Sequence, residues 1–128
     1  MASHFDQVVF YNSQTSTFNS IQVKNVYNYS DARAKNSIQS LSKSLSIIKQ
    51  LRPVSYNFTD NSDNTKFRKG GDGKEIGLLA QEVEKVLPNI VLTDPDGNKL
   101  INYTSLIAVL IDAVKDLNEK VSALEAQQ

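Results

Sequence analysis

The chain has 128 residues, 14 basic and 14 acidic side chains and no cysteine. That length suits one domain, or a small domain with an appendage. Zero net charge argues against a whole-chain field that would gather nucleic acid or an acidic membrane, and without cysteine there are no disulfides, thiol nucleophiles or cysteine-held zinc. No apolar run approaches the ~18 residues of a membrane span, and no basic stretch followed by an apolar one marks a signal peptide. Neither nucleic acid nor membrane is expected as a partner, and no cofactor or metal is expected either. Met1-Ala2-Ser3 reads as an added start, which makes the chain a fragment of something longer.

Residues 5–29 alternate loosely, with Val8 and Phe10, then Ile21, Val23 and Val26 among Asn, Ser, Thr and Gln. This is strand chemistry broken by turns. It holds too few apolar residues for a core, so residues 1–29 read as the end of a β-rich body. The pattern changes at Ser30. Ile38, Leu41, Leu45 and Ile48 follow at spacings of three, four and three, which predicts an amphipathic helix. Ser30 or Asp31 suits its N-cap, and Pro53 ends it.

Val54 to Thr59 alternates with period two and predicts a strand; residues 60–75 are polar and glycine-containing and predict a loop. Ile76 to Leu79 is a short apolar run, and Ala80 to Val86 predicts a brief helix stopped before Pro88. Ile90-Val91-Leu92 and Leu100-Ile101 flank Asp94-Pro95-Asp96-Gly97, the chemistry of a hairpin turn. Last, Ile107, Leu110, Val114, Leu117, Val121 and Leu124 alternate spacings of three and four. That is a heptad seam, β-branched at one core position and leucine at the other, predicting a coiled-coil helix over 104–126 that pairs with copies of itself. The expected class is α+β: an N-terminal strand segment, an amphipathic helix, small hairpin elements and a long C-terminal helix.

Several constellations invite a functional reading and fail on spacing. Gly70-Gly71-Asp72-Gly73-Lys74 lacks the glycine spacing of a phosphate loop, and Glu75 stands where Ser or Thr is needed. Asp94 to Gly97 resembles a calcium loop, but the glycine comes early and no acidic residue closes it. Lys66, Arg68 and Lys69 around Phe67 read as a solvated loop, and the lone His4 gives no support to a catalytic triad. Glu82 and Glu84, with Glu75, offer carboxylates for pairing, yet residues two apart on a helix do not face each other. From the residues alone, Ser30 is a helix cap and Lys35 pairs with Asp31 one turn earlier.

Ser30-Asp31-Ala32-Arg33-Ala34-Lys35, followed by the amphipathic pattern, resembles the opening motif of the self-cleaving intramolecular chaperone domains. These stand at the C-termini of phage tailspikes and fibres, endosialidases among them, with a relative in a membrane-anchored eukaryotic transcription factor. Leu51 to Tyr56, Ile76 to Glu84, and Ile101-Asn102-Tyr103 leading to Leu106 match in the same order, so the resemblance spans residues 30 to 124. Ala34, where leucine often precedes the motif lysine, and Ser37, where asparagine is common, depart from it.

The resemblance implies an intertwined homotrimer over residues 30–128 that helps the preceding fibre segment fold and then cuts the Tyr29–Ser30 bond. It further implies Ser30 as nucleophile and Lys35 as general base. The setting it implies is a tail-fibre or tailspike precursor folded in the host cytoplasm, with the cut domain free to leave. Chemically, the Ser30 hydroxyl reaches the Tyr29 carbonyl through a five-membered ring. A neutral lysine can activate it, although an ordinary lysine near ~10.4 is almost wholly protonated at pH 7. Asp31 and Arg33 are supporting candidates, Arg33 as a nearby cation. Residues five apart on a helix point about 140° apart, so Ser30 must lie outside the helix or Lys35 must come from a neighbouring chain. The rival expectation is a structural trimerisation module in which Ser30 only caps.

Overall fold

The computed structural model describes residues 2–4, 7–58 and 74–127, and divides into two compact units, 1–39 with 56–75 and 40–55 with 76–128. The basic cluster Lys66 to Lys69 and the glycines Gly70, Gly71 and Gly73 lie outside the described residues.

In the first unit, β1 (Ala2–His4) pairs antiparallel with β2 (Gln7–Val9), setting Ser3 opposite Val8. β3 (Tyr11–Asn12) pairs with β4 (Thr17–Phe18), and the rings of Tyr11 and Phe18 meet edge to face at 5.4 Å. Asn12 shapes the turn between them: its Oδ1 accepts the backbone N–H of Gln14 at 2.9 Å. Such local side-chain bonding is why asparagine favours turns. Beyond β4 the alternation at Ile21, Val23 and Val26 makes no strand, and these side chains lie exposed. A strand needs a hydrogen-bonded neighbour, and this stretch finds none within its own chain among the described residues.

The helix expected to follow Ser30 differs most from the sequence reading. Residues 35–43 are not helical, and α1 spans only Ser44–Lys49. Ser37 and Lys43 have φ of 53° and 60°, left-handed values that a right-handed helix cannot contain. Serines at 37, 40, 42, 44 and 46 also offer the backbone competing hydrogen bonds. Ile38 and Leu41 accordingly point to solvent, at 70% and 51% exposed.

β5 (Val54–Tyr56) and β6 (Glu75–Gly77) form a two-stranded sheet. α2 (Ala80–Val86) runs into a 3-10 turn at Pro88–Ile90, where proline suits the first turn because it has no N–H to leave unpaired. β7 (Val91–Thr93) and β8 (Lys99–Ile101) make the expected hairpin, with Leu92 opposite Leu100. Asp94 builds its turn: Oδ1 accepts the N–H groups of Asp96 and Asn98, each at 2.9 Å. Gly97 sits at φ 87°, a conformation that side chains rarely adopt.

The long helix α3 (Tyr103–Ala126) is capped by Asn102, whose side chain accepts the Ser105 N–H at 3.3 Å. It uses two faces differently. Leu106, Val109 and Ala113 are buried, and Leu106 joins Val83 and Ile90 at the centre of the core, with Leu51, Leu78, Leu87, Val91 and Ile101 packed around them. α1 lies along α3 and is held at its start by two carboxylates: Asp112 Oδ2 accepts the Ser44 N–H at 3.3 Å and Asp116 Oδ2 the Leu45 N–H at 3.4 Å. They satisfy donors that every helix start leaves open. The heptad row lies one residue on, about 100° round the helix. Ile107, Leu110, Val114, Leu117, Val121 and Leu124 are all exposed, between 44% and 63%.

With so few side chains at the centre of this core, truncating one is costly. Leu106→Ala is expected to lower unfolding free energy by about 2–5 kcal/mol, read as a drop in the urea midpoint at fixed protein concentration.

Candidate active site

Ser30 and Lys35, five residues apart, meet: Lys35 Nζ lies 2.7 Å from Ser30 Oγ within one chain. A short turn brings this about. Asp31 is extended, Ala32–Ala34 form one 3-10 turn, and Lys35 is extended again. Two backbone bonds close the turn, Ala34 N–H to Asp31 C=O and Lys35 N–H to Ala32 C=O, each 3.0 Å. Neither residue of the contact sits in an α-helix, so the angular separation of helical side chains does not apply to it. The contact is exposed in the single chain, as is Tyr29, at 84%.

Asp31 caps the turn. Its Oδ1 accepts the Arg33 backbone N–H at 2.9 Å, and its carboxylate takes the Arg33 guanidinium through Oδ2 and Nη2 at 2.8 Å. Ser30 is therefore not the cap, and the expected Asp31–Lys35 pair is not formed. The reason is geometric: that pair needs a full α-turn, whereas a 3-10 turn places Arg33 within reach of the carboxylate and leaves Lys35 on the serine. The Arg33 guanidinium, and then its backbone N–H, hold the Asp31 carboxyl below its ordinary value of 3.8, while Asp31 raises Arg33.

The other acidic candidates are occupied. Glu82 is gripped by Arg52 through two bonds of 2.7 and 3.3 Å, and that guanidinium holds its carboxyl low. Glu84 meets Lys99 at 3.1 Å. Ion-paired to Arg52 and to Lys99 respectively, they do not form the couple that acid–base catalysis requires. Glu75 stands in β6.

These contacts tie the matched stretches together. Arg52–Glu82 joins Leu51–Tyr56 to Ile76–Glu84, and the Tyr103 hydroxyl accepts the Leu78 N–H at 2.9 Å. Asp112 and Asp116 were missed by sequence reasoning, because two exposed-looking acids in a polar row carry no signal of a partner some 70 positions away. Their four-residue spacing on one helix face was the single clue.

A carboxyl held low stabilises its surroundings above its ordinary value and loses that effect as pH falls through the lower folded value. The Asp31 turn is thus expected to persist from pH 7 through 3.8 and to open only in stronger acid, followed by the chemical shift of the Arg33 amide proton.

Residues 30–92, beginning at the serine of this contact, match the family model described as chaperone of endosialidase. Long tail fiber protein Gp37 of Enterobacteria phage K3 is 32% identical over 124 residues, covering 92% of this chain and 9% of that protein. Its counterpart in Enterobacteria phage T2 gives the same figures. That of Escherichia phage AR1 is 32% identical over 117 residues, 88% of this chain and 10% of its own length. The chain thus spans about a tenth of the curated relatives it matches. The segment that opens at Ser30 is thus an endosialidase-type chaperone segment, and the family that its model describes is one of self-cleaving peptidases.

Proposed function

We propose that residues 30–128 are an intramolecular chaperone of a phage tail fibre or tailspike, which trimerises, helps the fibre segment ending at residue 29 to fold, and then cuts the Tyr29–Ser30 bond. The observation that carries this reading is the 2.7 Å approach of Lys35 Nζ to Ser30 Oγ at the first residue of the family match. A serine needs a base within hydrogen-bond reach to become a nucleophile, and Lys35 is within it. The precursor acts in the host cytoplasm, and the product belongs to the virion tail.

The proposed chemistry is an acyl shift followed by hydrolysis. Neutral Lys35 takes the hydroxyl proton as Ser30 Oγ attacks the Tyr29 carbonyl carbon. The C–N bond breaks, the Ser30 nitrogen takes a proton, and the Tyr29 acyl group is left on Oγ as an ester. Water then cleaves the ester, giving a Tyr29 carboxylate and restoring the hydroxyl. Burial favours the neutral form of a lysine, and the exposure of the contact in the single chain makes assembly the step that supplies burial. The outward heptad row on α3 supports self-assembly, since six exposed apolar side chains at heptad spacing match a seam that copies of the helix can close.

The rival reading, a structural module without cleavage, loses its simplest form because Asp31 and not Ser30 caps the turn. Intact mass separates the two directly. Wild type is expected to yield fragments 1–29 and 30–128, while Ser30→Ala and Lys35→Ala stay whole; a wild type that remains whole leaves the structural module. Replacing Leu110 and Leu117 with glutamate is expected to leave monomers by light scattering and to abolish the cut. Monomers that still cut at the wild-type rate would separate cleavage from assembly.

A further inference from the structure

We propose that Asp31 and Arg33 are positioning residues for the cut, a carboxylate and a guanidinium that lock the turn delivering Lys35 to Ser30. The inference rests on the self-cleavage proposed above. Five extended residues span roughly 17 Å, so the chain must fold back for Lys35 to reach Ser30. Only two backbone hydrogen bonds do so, and a single turn of that size is unfavourable on its own. No buried side chain anchors it. What holds it is Asp31. One of its oxygens takes the Arg33 N–H and Nε at 2.9 and 3.2 Å, and the other takes Nη2 at 2.8 Å and Nε at 3.3 Å.

Both members of this pair lie within the motif, so the lock is local. Arg33 is 90% exposed, and an exposed ion pair adds little to overall stability. Its loss therefore falls on how often the turn is closed and not on whether the protein folds. The planar guanidinium is specifically suited, because it engages both carboxylate oxygens while an ammonium offers one point of charge. Paired in this way, Arg33 has its charge offset by Asp31, which separates the positioning role from that of a bare cation acting on Lys35.

The test follows single-turnover cleavage across pH by intact mass. Asp31→Ala is expected to cut about tenfold more slowly, on the scale of losing a cap, with Asp31→Asn recovering only part of the rate because asparagine keeps the cap and loses the ion pair with Arg33. Arg33→Lys and Arg33→Gln are both expected to slow the cut several-fold, with the pH midpoint of the rate unchanged in all four. Positioning is overturned if Asp31→Ala cuts at the wild-type rate. It is equally overturned if Arg33→Lys is normal while Arg33→Gln shifts the midpoint, the signature of a bare cation. A second measurement does not need the cut. In Ser30→Ala protein, adding Asp31→Ala is expected to speed hydrogen exchange of the Ala34 and Lys35 amides about tenfold, and unchanged exchange overturns the inference. Should wild type never cut, the proposed function fails and positioning for the cut falls with it, while the exchange result still decides whether Asp31 locks the turn.

Discussion

The buried row of α3, Leu106, Val109 and Ala113, with the carboxylates of Asp112 and Asp116 beside it, holds the rest of the larger unit in place. Leu106 closes the core on Val83 and Ile90, and the two acids fix the start of α1. Removing that face would leave two short helices and a hairpin with nothing to pack on. The same helix presents a second row, offset by one residue and apolar throughout, to solvent. A helix apolar on two faces satisfies only one of them within its own chain, and small cores commonly depend on association to complete their burial. Among the described residues five hydrophobic side chains are buried, too thin a core to make the outward row an idle feature.

The Ser30 site works on a different principle. Its geometry comes from bonds made within six consecutive residues, and the turn itself has no buried residue. A locally built site of this kind forms as soon as its own turn closes, before or after assembly. In the proposed function the turn supplies the geometry and assembly the burial, so that contact alone is insufficient for chemistry. This division gives a physical reason why a chain could carry a nucleophile and base side by side without cutting itself during synthesis.

Much of this was legible in the residues. The Asp94 to Gly97 turn, the helix from Ala80 to Val86 and the long C-terminal helix each follow from local chemistry that nothing distant overrides. α1 was not, because its apolar spacing was read without weighing the serines between. Ser37 and Lys43 take left-handed conformations that periodicity cannot reveal. The Asp31–Lys35 pair was expected from helical spacing and gave way to Asp31–Arg33 once the turn proved to be 3-10. The buried face of α3 was hidden for another reason: Leu106, Val109 and Ala113 run on into two aspartates, whereas the longer row beside them, apolar throughout, reads as the packing surface and faces outward.

The most direct test of a dyad formed within one chain is complementation. Ser30→Ala and Lys35→Ala chains carrying different tags are co-expressed, and assemblies holding both are isolated by two successive affinity steps. The contact observed here predicts that neither chain is cut, since each lacks one half of its own dyad. Cleavage of the Lys35→Ala chain in the mixed assembly would mean that lysine arrives from a neighbour, and would contradict the account.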